Sequence, residues 1–100
     1  MYARIARFEG MTGEQARKMA EDIRDNASSG PPEGVPATGL SLLVDADAGR
    51  VLAISMFESE EDLRRGDEAL DAMSPPEDSG ARRAAVERYE VAVELRSQGA

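Results

Sequence analysis

The sequence predicts an α+β domain of the ferredoxin-like type, with strand and helix order βαββαβ. Three observations predict it. Short extended runs with apolar residues at period two on at least one face occur four times, apolar residues recur at helical spacing twice, and Gly- or Pro-rich breaks separate them in the order strand, helix, strand, strand, helix, strand. That order is a split βαβ arrangement, and right-handed crossovers put both helices on one face of a four-stranded antiparallel sheet.

Each element has its own grounds. Tyr2–Glu9 is the first strand, with Tyr2, Arg4, Ala6 and Phe8 on one face and Ala3, Ile5 and Arg7 on the other. Gly10 ends it. Thr12 with Gln15 three residues on is a capping-box pattern. Ala16, Met19, Ala20, Ile23 and Ala27 then form one apolar stripe of a helix. Ser28–Thr38, with three Pro and two Gly, admits no regular element. Gly39–Asp45 and Arg50–Phe57 are the second and third strands, joined by a hairpin turn in which Gly49 supplies the positive φ. Ser59 caps a second helix whose first turn is acidic and whose buried line is Leu63, Leu70 and Met73, with Gly66 on the same line. Ser74–Gly80 is a second loop. The last strand is expected over Ala85–Leu95, where Tyr89, Val91, Val93 and Leu95 alternate with polar or small residues. Residues 1–96 are expected to form one domain and 97–100 a frayed tail.

Composition bounds the chemistry. Of the 100 residues 41% are hydrophobic, but 16 are Ala, which leaves a thin core. There is no Cys, His or Trp, which excludes disulfides, thiolate nucleophiles and imidazole chemistry. A net charge of −8 disfavours nucleic acid as a partner. No apolar run of membrane-spanning length is present, and the expectation is a cytoplasmic chain without a membrane partner. Asp45-x-Asp47-x-Gly49 begins like a calcium loop, but Met56 stands where the twelfth-position Glu would be, so no metal is expected.

Two helices cover only one face of the sheet. The third strand nevertheless carries Leu52, Ile54 and Met56 on one side and Val51, Ala53 and Phe57 on the other, with Ser55 its one polar residue after Arg50. The uncovered apolar face predicts a homodimer with the two sheets packed face to face.

Four stretches carry a family resemblance: Met1–Gly10, the hairpin Leu43–Ile54, the junction Phe57-Glu58-Ser59-Glu60-Glu61-Asp62-Leu63, and Arg88-Tyr89-Glu90-Val91. On these the chain resembles the dimeric α+β-barrel superfamily, close to the antibiotic-biosynthesis-monooxygenase-like domains. The resemblance implies a pocket between sheet and helices, which Gly66 would enlarge. Members with monooxygenase or haem-degrading activity commonly have Trp at the junction and a His in the second helix, and haem degraders use an Asn on the first strand. Here the junction aromatic is Phe57, the helical positions are Gly66 or Asp67, and the first strand has no Asn. Neither haem nor any other cofactor is therefore expected.

Five residues are candidates for ligand binding: Arg4, Arg7, Ser55, Phe57 and Tyr89. The arginines could hold an anionic group, with an ion pair to a strand acid such as Glu87 or Glu90 as the alternative. Ser55 could orient a ligand or bond to backbone. Phe57 could line a pocket or belong to the core. Tyr89 could supply a phenol or sit at an interface rim. No catalytic residue is assigned. The main functional expectation is non-catalytic, a small dimer binding an apolar molecule or serving as an interaction module. The alternative is a cofactor-independent monooxygenase acting on an electron-rich aromatic substrate, with Arg4, Arg7 or Tyr89 stabilising the substrate anion.

Overall fold

The computed structural model describes residues 1–26, 30, 34–73, 80–95 and 97. The element order is β1 (Tyr2–Glu9), α1 (Gly13–Asn26), β2 (Gly39–Asp45), β3 (Arg50–Phe57), α2 (Glu60–Asp71) and β4 (Arg82–Glu90). The strands form one antiparallel sheet in the order β2-β3-β1-β4, the ferredoxin-like arrangement.

Local chemistry sets the helix starts. At α1 the capping box closes in both directions: Gln15 N–H donates to Thr12 Oγ1 at 3.1 Å and Thr12 N–H to Gln15 Oε1 at 2.9 Å. At α2 the Asp62 N–H donates to Ser59 Oγ at 3.1 Å. In the β2–β3 turn Gly49 has φ +64°, and a Cβ there would lie 1.9 Å from the Met11 carbonyl oxygen, so only glycine fits.

The last strand differs from the expected Ala85–Leu95 at both ends. It begins at Arg82, because the β1–β4 register shifts between Arg7↔Ala85 and Phe8↔Arg83, leaving Ala84 as the extra residue of a bulge. The bulge breaks the period-two pattern and turns Arg83 to the same side as Val86 and Arg88. The strand ends at Glu90, opposite Tyr2, because β1 has no further residue to pair with beyond one bond from Val91 N–H to the Met1 carbonyl. Alternation continues to Leu95, but Val93 and Leu95 are 74% and 90% exposed.

The core lies between sheet and helices in two clusters. Met11, Ala16 and Val51 form one, with Phe8, Met19 and Leu42 packed around it. Val35, Phe57 and Leu63 form the other, flanked by Tyr2, Ala37, Ala69 and Leu70. Leu63 is buried and Leu70 half-buried as expected, but Met73 lies past the helix end and is exposed. Ala27 and most of the two expected loops lie outside the described residues.

The opposite sheet face carries no helix. Ile5 pairs with Ile54, Ala3 with Met56, Arg7 with Leu52, and Leu52 with Leu43. Leu43 is exposed and the larger apolar residues of the two inner strands are half-buried.

Candidate functional site

The sheet separates the five candidate residues. Arg4, Ser55 and Phe57 lie on the helix side; Arg7 and Tyr89 lie on the bare side. The division follows from strand parity and register.

On the helix side Arg4 and Ser55 are direct cross-strand partners, both buried. Arg4 is also directly opposite Arg88 on β4. Two guanidinium groups facing each other would repel. Asp67 of α2 resolves this by lying between them: its Oδ1 is 2.7 Å from Arg4 Nε and its Oδ2 2.7 Å from Arg88 Nε. One helical turn on, Asp71 Oδ1 accepts from Arg4 Nη2 at 2.8 Å and lies 3.6 Å from Arg83 Nη1. Burial pushes the Asp67 carboxyl up, but the hydrogen bonds from Arg88 and Arg4 outweigh it and hold the group below the usual carboxylate range. The Arg88 guanidinium is pushed up, first by its bond to Asp67. Arg83 completes the cluster by donating to the carbonyls of Leu70, at 3.2 Å, and Met73 at the end of α2.

Arg4 thus pairs with acids of α2, not with Glu87 or Glu90 as expected. For Glu87 the reason is directional: Arg4 points toward the helices, while Glu87 stands opposite Ile5 on the bare face; Glu90 lies on Arg4's own side, opposite Tyr2, but the Arg4 guanidinium is taken by Asp67 and Asp71. Asp67 and Asp71 were not among the sequence candidates. The signal was present, since Asp67 stands four residues after Leu63 and three before Leu70, on the buried line itself.

Phe57 is fully buried, and its ring occupies the space over Gly66. A Cβ on Gly66 would lie 2.4 Å from Phe57 Cε1. Gly66 therefore does not enlarge a pocket; it makes room for Phe57. Val35, from the segment before β2, fills the neighbouring space against Phe57 and Leu63.

On the bare face Arg7 Nε lies 2.7 Å from Glu9 Oε2, so this arginine does find a strand acid. Tyr89 is half exposed and its hydroxyl donates to Glu87 Oε2 at 2.7 Å, which raises its pKa.

An apolar cavity lies elsewhere on the helix side. About 600 Å³ opens between the C-terminal half of α1 and β2, lined by Ala20, Ile23, Ala37, Leu40 and Leu42, with Glu21, Arg24 and Thr38 as its polar side chains. The size and apolar walls suit a small molecule. A second hollow, of about 610 Å³, lies between the start of α1 and the β2–β3 turn and is polar, with Arg17, Lys18, Glu14 and Asp47 around it. None of the five candidates lines either space. Among the described residues, no group of His, Cys, Asp and Glu could hold a metal ion, and no helix is long and apolar enough to cross a membrane.

No protein-family model matches the chain, and no curated protein matches it in sequence. Solved structures do. The haem degrader MhuD from Mycobacterium tuberculosis, solved with two haems in its active site, is similar at a TM-score of 0.69 and 16% identity over 96% of this chain and 100% of that one. A substituted form of MhuD with two manganese protoporphyrin IX molecules per active site gives 0.67 and 17% over 97% and 100%. A Deinococcus radiodurans protein, provisionally designated an antibiotic biosynthesis monooxygenase, gives 0.61 and 12% over 99% and 100%. At these identities the likeness is one of fold alone, the ferredoxin-like α+β fold that this chain shares with those structures.

Proposed function

We propose that this chain is a cytoplasmic homodimer, its bare sheet faces packed together, that takes a flat apolar molecule into the α1–β2 cavity and oxygenates it with molecular oxygen. The observation that carries this reading is the cavity of about 600 Å³, apolar on its walls and polar only at Glu21, Arg24 and Thr38. The oxygenase descriptions of the structural neighbours favour chemistry over binding alone.

Haem does not fit this chain. The sequence has neither His nor Cys to ligate iron. The space over α2 is taken by Phe57 against Gly66 and by Val35 and Leu63. The substrate itself must then supply the electrons. A CH₂ group activated by an electron-rich ring can do so: it loses a proton, its carbanion reacts with oxygen, one oxygen atom stays as C=O and the other leaves as water. Arg24, on the cavity wall and 3.8 Å from Asp25, is the cation we assign to the substrate anion, since Arg4 is buried and committed to Asp67 and Asp71.

The test is oxygen uptake with a panel of hydroxylated polycyclic aromatics bearing such a CH₂. Uptake above the spontaneous rate, reduced at least tenfold by Arg24→Gln and abolished by Leu42→Trp, supports the reading. Binding without uptake leaves the second reading, a ligand-binding module. One observation favours that second reading: Arg4, Arg7 and Tyr89 all lie outside the cavity.

A further inference from the structure

One end of the bare sheet face gathers arginines. Strand parity and register put Arg7 and Glu9 of β1, Arg50 at the start of β3 and Arg82 at the start of β4 on that face, at the end where β1 stops. Three guanidinium groups there surround one carboxylate. Arg7 Nε lies 2.7 Å, Arg50 Nε 3.7 Å and Arg82 Nη2 3.8 Å from the Glu9 oxygens. Three positive charges and one negative leave the group at +2. The neighbouring acid Asp45, opposite Arg50 on β2, serves its own hairpin turn, where Oδ1 accepts from Ala48 N–H at 3.1 Å. Among the described residues, no carboxylate other than Glu9 comes within ion-pair distance of these arginines.

The excess is not a by-product of a basic surface, since the chain as a whole carries −8. Other arginines of the chain are better matched. Arg64 and Arg65 each have a glutamate one turn back on α2. Arg4, Arg83 and Arg88 share Asp67, Asp71 and the last carbonyls of that helix. At the sheet end the matching is incomplete. The Arg7–Glu9 contact lies off the N–H axis, so the shielded Arg7 Nε has an ion pair without a hydrogen bond. Arg50 and Arg82 stop short of hydrogen-bond distance to Glu9.

We infer that Arg7, Arg50 and Arg82 form a binding site for a phosphoryl dianion, free or as the terminal group of a small phosphate ester, with Glu9 as its resident counter-ion. Charge decides the class: a dianion brings the group to neutrality, whereas a monocarboxylate leaves one charge uncompensated. Guanidinium groups on three neighbouring strands offer paired N–H donors from three sides, which suits a tetrahedral oxyanion. The site does not rest on the homodimer. Glu9 is four residues, about 13 Å, along β1 from Ile5, which pairs with Ile54 at the middle of the face. That distance puts it at the rim of the proposed interface, where polar side chains keep contact with water. The α1–β2 cavity lies on the other face of the sheet, so this site takes a ligand of its own.

Titration calorimetry of the full-length chain at low ionic strength tests the site with inorganic phosphate and with phenyl phosphate. Saturable binding of at least one of them is expected, with a dissociation constant of about 1 mM, and acetate should bind at least about tenfold more weakly. Tighter binding of phenyl phosphate assigns an ester and tighter binding of phosphate the free ion; either supports the site. Arg50→Gln and Arg82→Gln, both at exposed side chains, should each weaken binding at least about fivefold, while Arg64→Gln on α2 should leave it unchanged. Glu9→Gln removes the counter-ion and should tighten binding at least about threefold, a gain that a misfolded chain cannot produce. No saturation below about 20 mM, or constants unmoved in both arginine variants, overturns the site. Unchanged or weaker binding in Glu9→Gln overturns the counter-ion role, and acetate bound as tightly as phosphate overturns the dianion.

Discussion

Replacing Gly66 by Ala sets two effects against each other. Alanine favours the helix by about 1 kcal/mol. Its Cβ, however, would lie 2.4–2.5 Å from the edge of a fully buried Phe57 ring. Phe57 is hemmed in by Val35 and Leu63 and has little room to yield, so the clash wins. Urea unfolding of Gly66→Ala is expected to show a loss of about 1–3 kcal/mol, largely recovered by Phe57→Leu in the same chain. The Asp67 carboxylate gives a second prediction with a definite sign. Its pKa is lowered in the folded state, so its contribution is present above the unfolded value of about 3.9 and is lost as pH falls through the lower folded value. Asp67→Asn should therefore flatten the acid limb of the stability profile below about pH 4. At neutral pH it should cost about 2 kcal/mol, because Arg4, with only 5% of its side chain exposed, loses one of its two carboxylate partners and keeps Asp71. Arg88→Ala should cost under about 1 kcal/mol, since that guanidinium is 44% exposed. Chemical unfolding from pH 2.5 to 7 measures all three variants. At this scale the sequence was half legible. Arg4 was recognisable as a cation on an inner strand that must find a partner, but its partners sit more than sixty residues away, and strand parity alone did not say which element would supply them.

Helix α2 is fastened at both ends by side chains from outside its own interior. Ser59 satisfies its first turn and Arg83 its last carbonyls. The second fastening depends on the bulge at Ala84. Were Ala84 to take its turn in regular alternation, Arg83 would fall on the bare face with Ala85 and Glu87, away from the helix. Arg83→Lys should cost about 1 kcal/mol, because one ammonium cannot reach the carbonyls that the guanidinium fork spans. Deleting Ala84 should cost less, since Arg83 then directly precedes Ala85 in a regular strand and stays opposite Phe8 on the helix side; thermal unfolding of the two variants gives the order. The bulge also explains how far the elements could be read. Five of the six elements follow from alternation, caps and glycines that act locally, such as Thr12 with Gln15 and Gly49 in its turn. The last strand was misplaced at both ends for reasons that are not local. Its start is masked by a register shift against β1, and its end is set by where β1 stops.

At the scale of the whole molecule the decisive quantity is the bare sheet face. Ile5, Leu52, Ile54 and Met56 pair across β1 and β3 and are only half covered by the strands beside them. Leu43 and Tyr89 extend the patch to both edge strands. An apolar surface running the width of a four-stranded sheet exceeds what a soluble monomer usually exposes. Polar residues on that face pair with their neighbours: Arg7 lies against Glu9, and Glu87 accepts from Tyr89. A twofold axis through the face would lay the same residues on themselves, so one substitution at the centre acts twice per dimer. Ile54 is at that centre, paired with Ile5 on one side and Ser41 on the other. The native chain of 10.7 kDa should sediment as a dimer of about twice that mass at micromolar concentration. Ile54→Arg should sediment as one chain while keeping its far-ultraviolet circular dichroism, because the helix-side core that builds the fold lies on the other face.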